Sequence, residues 1–116
     1  MTDQINYEDF SKVDIRLGKI IKVEDFPEAR KPAYKLTIDF GREIGIKRSS
    51  VQLVGAYEKK ELEGLLVVCV VNFPPKQIGK FVSDVLTLGF KNTAGEGGYV
   101  LITPSKTSAE IGDRLC

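Results

Sequence analysis

The run Tyr34, Lys35, Leu36, Thr37, Ile38, Asp39, Phe40 alternates apolar and polar side chains without interruption. A period of two places Tyr34, Leu36, Ile38 and Phe40 on one face and Lys35, Thr37 and Asp39 on the other, the pattern of a strand with one dry and one wet side. Tyr34 and Phe40 share the phase of two aliphatic residues, so they belong to the core. A chain whose clearest element is a half-buried strand is read first as a β protein.

The flanking segments extend that reading. Residues 14–26 form a long strand with Ile15, Leu17, Ile21 and Val23 in one phase. Gly18 and Ile20 interrupt the phase, as expected where one strand bends to serve both halves of a barrel. Ile44 and Ile46 follow the Gly41 turn, and the apolar phase then slips to Val51 and Leu53 across Ser49 and Ser50, which predicts a bulge or break. Residues 57–64 are charged, short and closed by Gly64, the one interior helix candidate. Residues 65–73 are apolar on both faces and predict a covered central strand, ended by Pro74 and Pro75. Residues 85–90 alternate through Leu86, Leu88 and Phe90, the Gly-rich segment 93–98 connects to a strand at 99–103, and Ile111 and Leu115 are the large apolar residues of the tail. At the start, Asn6 suits a helix N-cap ahead of Glu8 and Asp9, with Phe10 and Val13 on one face. Three strands, a helix and further strands is the order of the OB barrel, and the interior helix favours it over an SH3-like barrel. The prediction is an all-β fold with short helices: a five-stranded Greek-key OB barrel with an N-terminal helix and extra C-terminal strands, one domain over 1–116.

Composition narrows the function classes. The chain has 116 residues, 42% hydrophobic and 28% charged, values of an ordinary globular domain. Its longest apolar run, 65–71, falls short of the ~20 residues that span a bilayer, and residues 1–7 are too polar for a signal peptide. A soluble, cytoplasmic protein with no membrane insertion is expected. With no histidine in the chain, histidine-based nucleophile activation and zinc sites are excluded. Cys69 sits in an apolar run as a small hydrophobe, and Cys116 is the final residue. Ala94-Gly95-Glu96-Gly97-Gly98 lacks both a following helix and a Walker lysine, so it reads as a hairpin connection and not a phosphate cradle. Glu24-Asp25 and Glu61 with Glu63 read as solvated surface. No catalytic residue, metal ligand or cofactor is assigned, and no ATP site is visible.

Net charge is only +1, but its distribution is uneven. Arg30, Lys31, Lys35, Arg42, Lys47 and Arg48 face only Asp39 and Glu43 within residues 30–48. OB barrels bind nucleic acid on the second and third strands with such a mixture of cations and aromatics.

The segment Asn72-Phe73-Pro74-Pro75-Lys76-Gln77-Ile78-Gly79-Lys80-Phe81-Val82-Ser83 resembles the signature of the tRNA-binding-domain family, and residues 13–20 resemble its opening strand. Residues 26–36, 38–41, 45–50 and 72–75 are similar to its export-related chaperone branch. The resemblance implies an OB-fold homodimer with affinity for unfolded or exported protein segments. It also implies relatives that bind the outer corner of tRNA, free-standing or fused to methionyl- or tyrosyl-tRNA synthetases. By position Asn72, Lys76 and Ser83 match the RNA-contacting motif; Lys80 lies inside it, and Lys31, Lys47 and Arg48 complete the candidate RNA-binding set. Pro74 and Gln77 stand where the tRNA binders often carry lysine, and Lys80 where a glycine is usual. Fewer cations mean weaker phosphate neutralisation, which favours protein segments over tRNA as partner. Phe10, Ile111 and Leu115 are the expected dimer contact.

Overall fold

The computed structural model describes residues 2–92 and 98–116. The Gly-rich connection, but for Gly98, lies outside the described residues. The organising element is β1 (Ile15–Asp25), which pairs antiparallel through Ile15 to Lys19 with β4 (Leu66–Val70) and through Lys19 to Asp25 with β2 (Tyr34–Asp39). One strand can serve two neighbours this way only by bending. Gly18 stands at the bend: a Cβ there would lie 2.5 Å from Ile38 Cγ2 and 2.7 Å from Phe40 Cε1. A register shift between Ile20 and Lys22 follows. Ile20 alternates with Gly18 on the face toward Ile38 and Phe40 and is buried, Ile21 is 47% exposed, and the bulge brings Val23 back against the core. The expected inward position of Ile21 is therefore corrected to Ile20.

β2 buries Tyr34, Leu36 and Ile38, and Phe40 follows them inward, as its alternation predicts. β3 (Ile46–Val51) pairs with β2 in unbroken register from Tyr34 opposite Val51 to Asp39 opposite Ile46. The break expected at Ser49-Ser50 is absent. Ile46 faces solvent and Ser49 takes the inward place, its hydroxyl accepting from Thr87 Oγ1 at 2.9 Å. A small polar residue can occupy a core position when its hydrogen bond is met there.

Two short helices accompany the strands, α1 (Tyr7–Ser11) at the N-terminal side and the interior α2 (Lys59–Leu62). Asn6 caps α1 by accepting the Asp9 N–H at 2.9 Å, while Asp9 accepts the Asn6 N–H at 3.3 Å. α2 buries Leu62, and Gly64, at φ +84°, donates its N–H to Ile20 O at 2.8 Å, which fixes the helix end to β1. β4 follows between β1 and the next paired strand.

After Pro74-Pro75 come a hairpin of β5 (Lys76–Ile78) and β6 (Phe81–Ser83), then β7 (Leu86–Thr87), β8 (Gly89–Lys91) and β9 (Tyr99–Leu101). The main sheet runs β3-β2-β1-β4-β7 and curls into a nearly closed barrel, with β5-β6 and β8-β9 as separate two-stranded pieces. The strand expected at 85–90 is thus divided, and its phase is opposite to the one read from Leu86, Leu88 and Phe90. Val85 and Thr87 point inward, while Leu86 is 48% and Phe90 69% exposed. Thr87 goes inward because Ser49 and the Cys69 thiol, which donates to Thr87 Oγ1 at 3.5 Å, partner its hydroxyl.

The seam of the barrel is closed partly by side chains. Asp84 N–H donates to Arg48 O at 2.8 Å, Arg48 N–H to Asp84 Oδ2 at 3.0 Å, and Ser50 N–H to Ser83 Oγ at 3.1 Å. The tail covers the edge of β1 that β2 leaves free. Leu17 N–H donates to Asp113 O at 3.0 Å, Gly112 N–H to Leu17 O at 2.7 Å and Leu115 N–H to Ile15 O at 2.8 Å. Among the described residues no helix is long and apolar enough to cross a membrane.

Candidate functional site

Phe26, Ala33 and Phe81 form a second buried cluster that ties loop 26–33 to the β5-β6 hairpin, the two rings 5.2 Å apart. That cluster holds the hairpin above the β3 edge, and two adjoining clefts result. One, of about 500 Å³, has an apolar lining that includes Phe73, Pro74, Ile78, Val85 and Leu86. The other, of about 540 Å³, is lined by Arg30, Lys31, Lys76, Gln52 and Gln77 among others, with Glu28 as its acid. Ser50, Lys76 and Ile78 border both, so they form one groove with an apolar end and a basic end.

The structure gathers only part of the expected RNA-binding set into this groove. Lys31 and Lys76 line its basic end, and Ser83 borders its apolar end. Lys80 sits in the hairpin turn beside Gly79, exposed. Arg30, Lys31, Lys76 and Lys80 have no ion-pair partner among the described residues. Arg48 lies on the outer face of β3, where Glu24 pairs with its guanidinium at 3.1 Å and the Phe81 ring lies 4.6 Å beneath it. Lys35 is likewise placed over Phe26 and Phe81. Lys47 follows Ile46 at the other end of β3, in the phase of Ser49 and Val51. The basic run 30–48 is therefore dispersed, since alternate residues of a strand face opposite sides.

Asn72 and Ser83 are engaged with their own barrel. Asn72 Nδ2 donates to Lys12 O at 2.7 Å while its Oδ1 accepts the Asp14 N–H at 2.9 Å. The residue before the groove-lining Phe73 thus fixes the junction between α1 and β1. Ser83 Oγ accepts from Ser50 N–H and donates to Val85 O at 3.4 Å. Either residue keeps a shape that the motif needs, whatever the groove binds.

The expected dimer residues lie at the chain ends. Arg114 Nη2 donates to Ser11 O at 2.8 Å and pairs with Asp14 at 3.7 Å, which joins the tail to the end of α1. Asp14 also accepts Arg16 Nε at 2.6 Å, a hydrogen bond that raises the already high pKa of the guanidinium against the opposing effect of its burial. Ile111 is half-buried beside Gly41, Phe10 is half-buried, and Leu115 borders an apolar recess of about 360 Å³ with Leu17, Val68 and Ile102. Burial pushes the Cys69 thiol up to about 12, so it is no nucleophile at neutral pH.

Sequence reasoning missed the apolar end of the groove. Its walls come from residues 50, 73, 74, 76, 78 and 83–86, and the one local signal was the Gly79-Lys80 turn, with Gly79 at φ +62°.

Comparison with known proteins matches this geometry. The family described as "Putative tRNA binding domain" matches residues 15–114. The chain is 50% identical to the CsaA chaperone protein of Picrophilus torridus, over 97% of this chain and 100% of that one, with a TM-score of 0.89. For the chaperone CsaA of Bacillus anthracis strain Ames the identity is 42%, the shares 98% and 100%, and the TM-score 0.88. Methionine–tRNA ligase of Archaeoglobus fulgidus is 36% identical over 98% of this chain, which spans only 16% of the ligase. An antiparallel OB-type barrel, a motif at 72–83 placed beside its groove, and these matches agree: the chain belongs to the tRNA-binding-domain family, in which nearly its whole length is similar to the CsaA chaperones.

Proposed function

We propose that the protein is a cytoplasmic chaperone that holds unfolded or secretory polypeptide segments without ATP, as a homodimer, and catalyses no reaction. The observation that carries this reading is the apolar end of the groove, where Phe73 is 55% exposed and Leu86 about half exposed on the same wall. Three apolar side chains seated there contribute roughly 5–9 kcal/mol before ordering costs, so each site holds a client at micromolar affinity or weaker. Weak binding lets a client leave without an energy source, and two sites in a dimer raise avidity where one chain reaches both. Phe10, Ile111 and Leu115, the last of them at the apolar recess of the tail, are the residues proposed to meet the second copy. The full lengths of the CsaA chaperones to which the chain is similar support the same reading.

A second reading, binding of tRNA structure, is favoured by one observation, that Arg30, Lys31 and Lys76 gather at the basic end with no ion-pair partner among the described residues. Light scattering of a denatured client separates the two. Leu86→Arg places a charge on the apolar wall at an exposed position and should abolish suppression of aggregation while sparing the fold. A Leu86→Arg protein that protects the client as well as the wild type would remove the chaperone reading.

A further inference from the structure

Arg48 N–H and C=O both point to Asp84, away from β2. Alternation along an antiparallel strand then directs the N–H and C=O of Ser50 to the same outer edge, as the Ser50 N–H bond to Ser83 Oγ confirms. The seam uses Arg48 and the Ser50 N–H. The Ser50 carbonyl and, one step further on, the Gln52 N–H have no hydrogen-bond partner among the described residues. Ser50 also borders three clefts: the two halves of the groove and a third recess of about 290 Å³ beside Leu88 and Tyr99. A strand edge with such groups unpaired among the described residues, flanked by side-chain recesses, is the arrangement that accepts an added strand.

We propose that a client segment binds in extended form along this edge, pairing its backbone with Ser50 and Gln52 and placing alternate side chains against the groove. The inference rests on the chaperone reading and states how the client is gripped. Backbone pairing is common to every sequence, whereas the apolar end of the groove accepts apolar side chains with little discrimination. Together they give a holder of many clients. A short edge, closed off on one side by Asp84, limits the grip to one or two backbone bonds, consistent with ready release.

The test uses a short fluorescein-labelled peptide alternating leucine with threonine and ending in glutamate, and two versions of it N-methylated at every leucine or at every threonine. Alternation fixes which face meets the groove, because a slip by one residue would exchange the faces. Fluorescence anisotropy with the wild-type protein should show one methylated version bound at least tenfold more weakly than the parent, from loss of a backbone donor and a clash at the edge, and the other within about twofold. Equal affinity for both methylated versions, whether unchanged or equally reduced, would overturn strand addition and leave the chaperone reading in place. A parent peptide that does not bind while tRNA does would overturn both.

Discussion

Replacing Asn72 by alanine tests whether the family motif here holds the fold together or touches a ligand. The side chain makes two bonds, 2.7 Å to Lys12 O and 2.9 Å from the Asp14 N–H. Both lie near solvent, where each net bond is worth about 0.5–1 kcal/mol, so Asn72→Ala should cost about 1–2 kcal/mol. For a domain of this size that lowers Tm by roughly 4–8 °C. Urea unfolding measures the loss, and hydrogen exchange locates it: the Asp14 amide should exchange faster in the variant, while amides in β2 change only by the global loss. Asn72→Asp keeps an acceptor for Asp14 but sets a carboxylate oxygen against Lys12 O, and so should not rescue. An Asn72→Ala protein with unchanged Tm and unchanged Asp14 exchange, yet with tRNA binding lost, would refute the structural account of this residue.

Gly18→Ala should destabilise by about 3 kcal/mol or more in urea, since the new Cβ meets Ile38 and Phe40, both fully buried and unable to move aside; a loss below about 1 kcal/mol would show that β1 does not bend as described. Cys69 titrates near 9.0 when unfolded and near 12 in the fold, so its neutral thiol affects stability little below pH 9. Above that the unfolded chain ionises first and stability falls by up to about 4 kcal/mol towards pH 12, a decline that Cys69→Val should lack when the two proteins are compared by urea unfolding across that range. Replacing Lys76 and Lys80 together by alanine should abolish tRNA binding and leave aggregation suppression largely intact; equal loss of both would merge the two ligands into one site.

Much of the barrel was legible because residues 34–40 bury one face completely, and a strictly half-buried strand advertises its period. The phase errors share a cause. At Ile20 and Ile21 both neighbours are aliphatic, and only alternation with Gly18, which packs against Ile38 and Phe40, decides which turns in. At 85–90 hydrophobicity misled: Leu86 and Phe90 lie outside while Thr87 lies inside, because a met hydroxyl pair between Thr87 and Ser49 makes a polar side chain acceptable in the core. The groove was hidden for a different reason. Its walls are assembled from segments distant in the chain, and Arg48 and Lys35, which look free in the sequence, are occupied by Glu24 and by the rings of Phe26 and Phe81.

The most direct measurement titrates one sample with tRNA and with a reduced, unfolded client at 50 and 200 mM salt. If the three or four cations at and beside the groove carry tRNA binding, its affinity should drop about 40- to 150-fold over that range. Client affinity, resting on apolar burial and backbone pairing, should stay within about twofold. A client affinity that falls in step with that of tRNA would contradict the account, because charge and not the apolar wall would then be what the groove uses to bind.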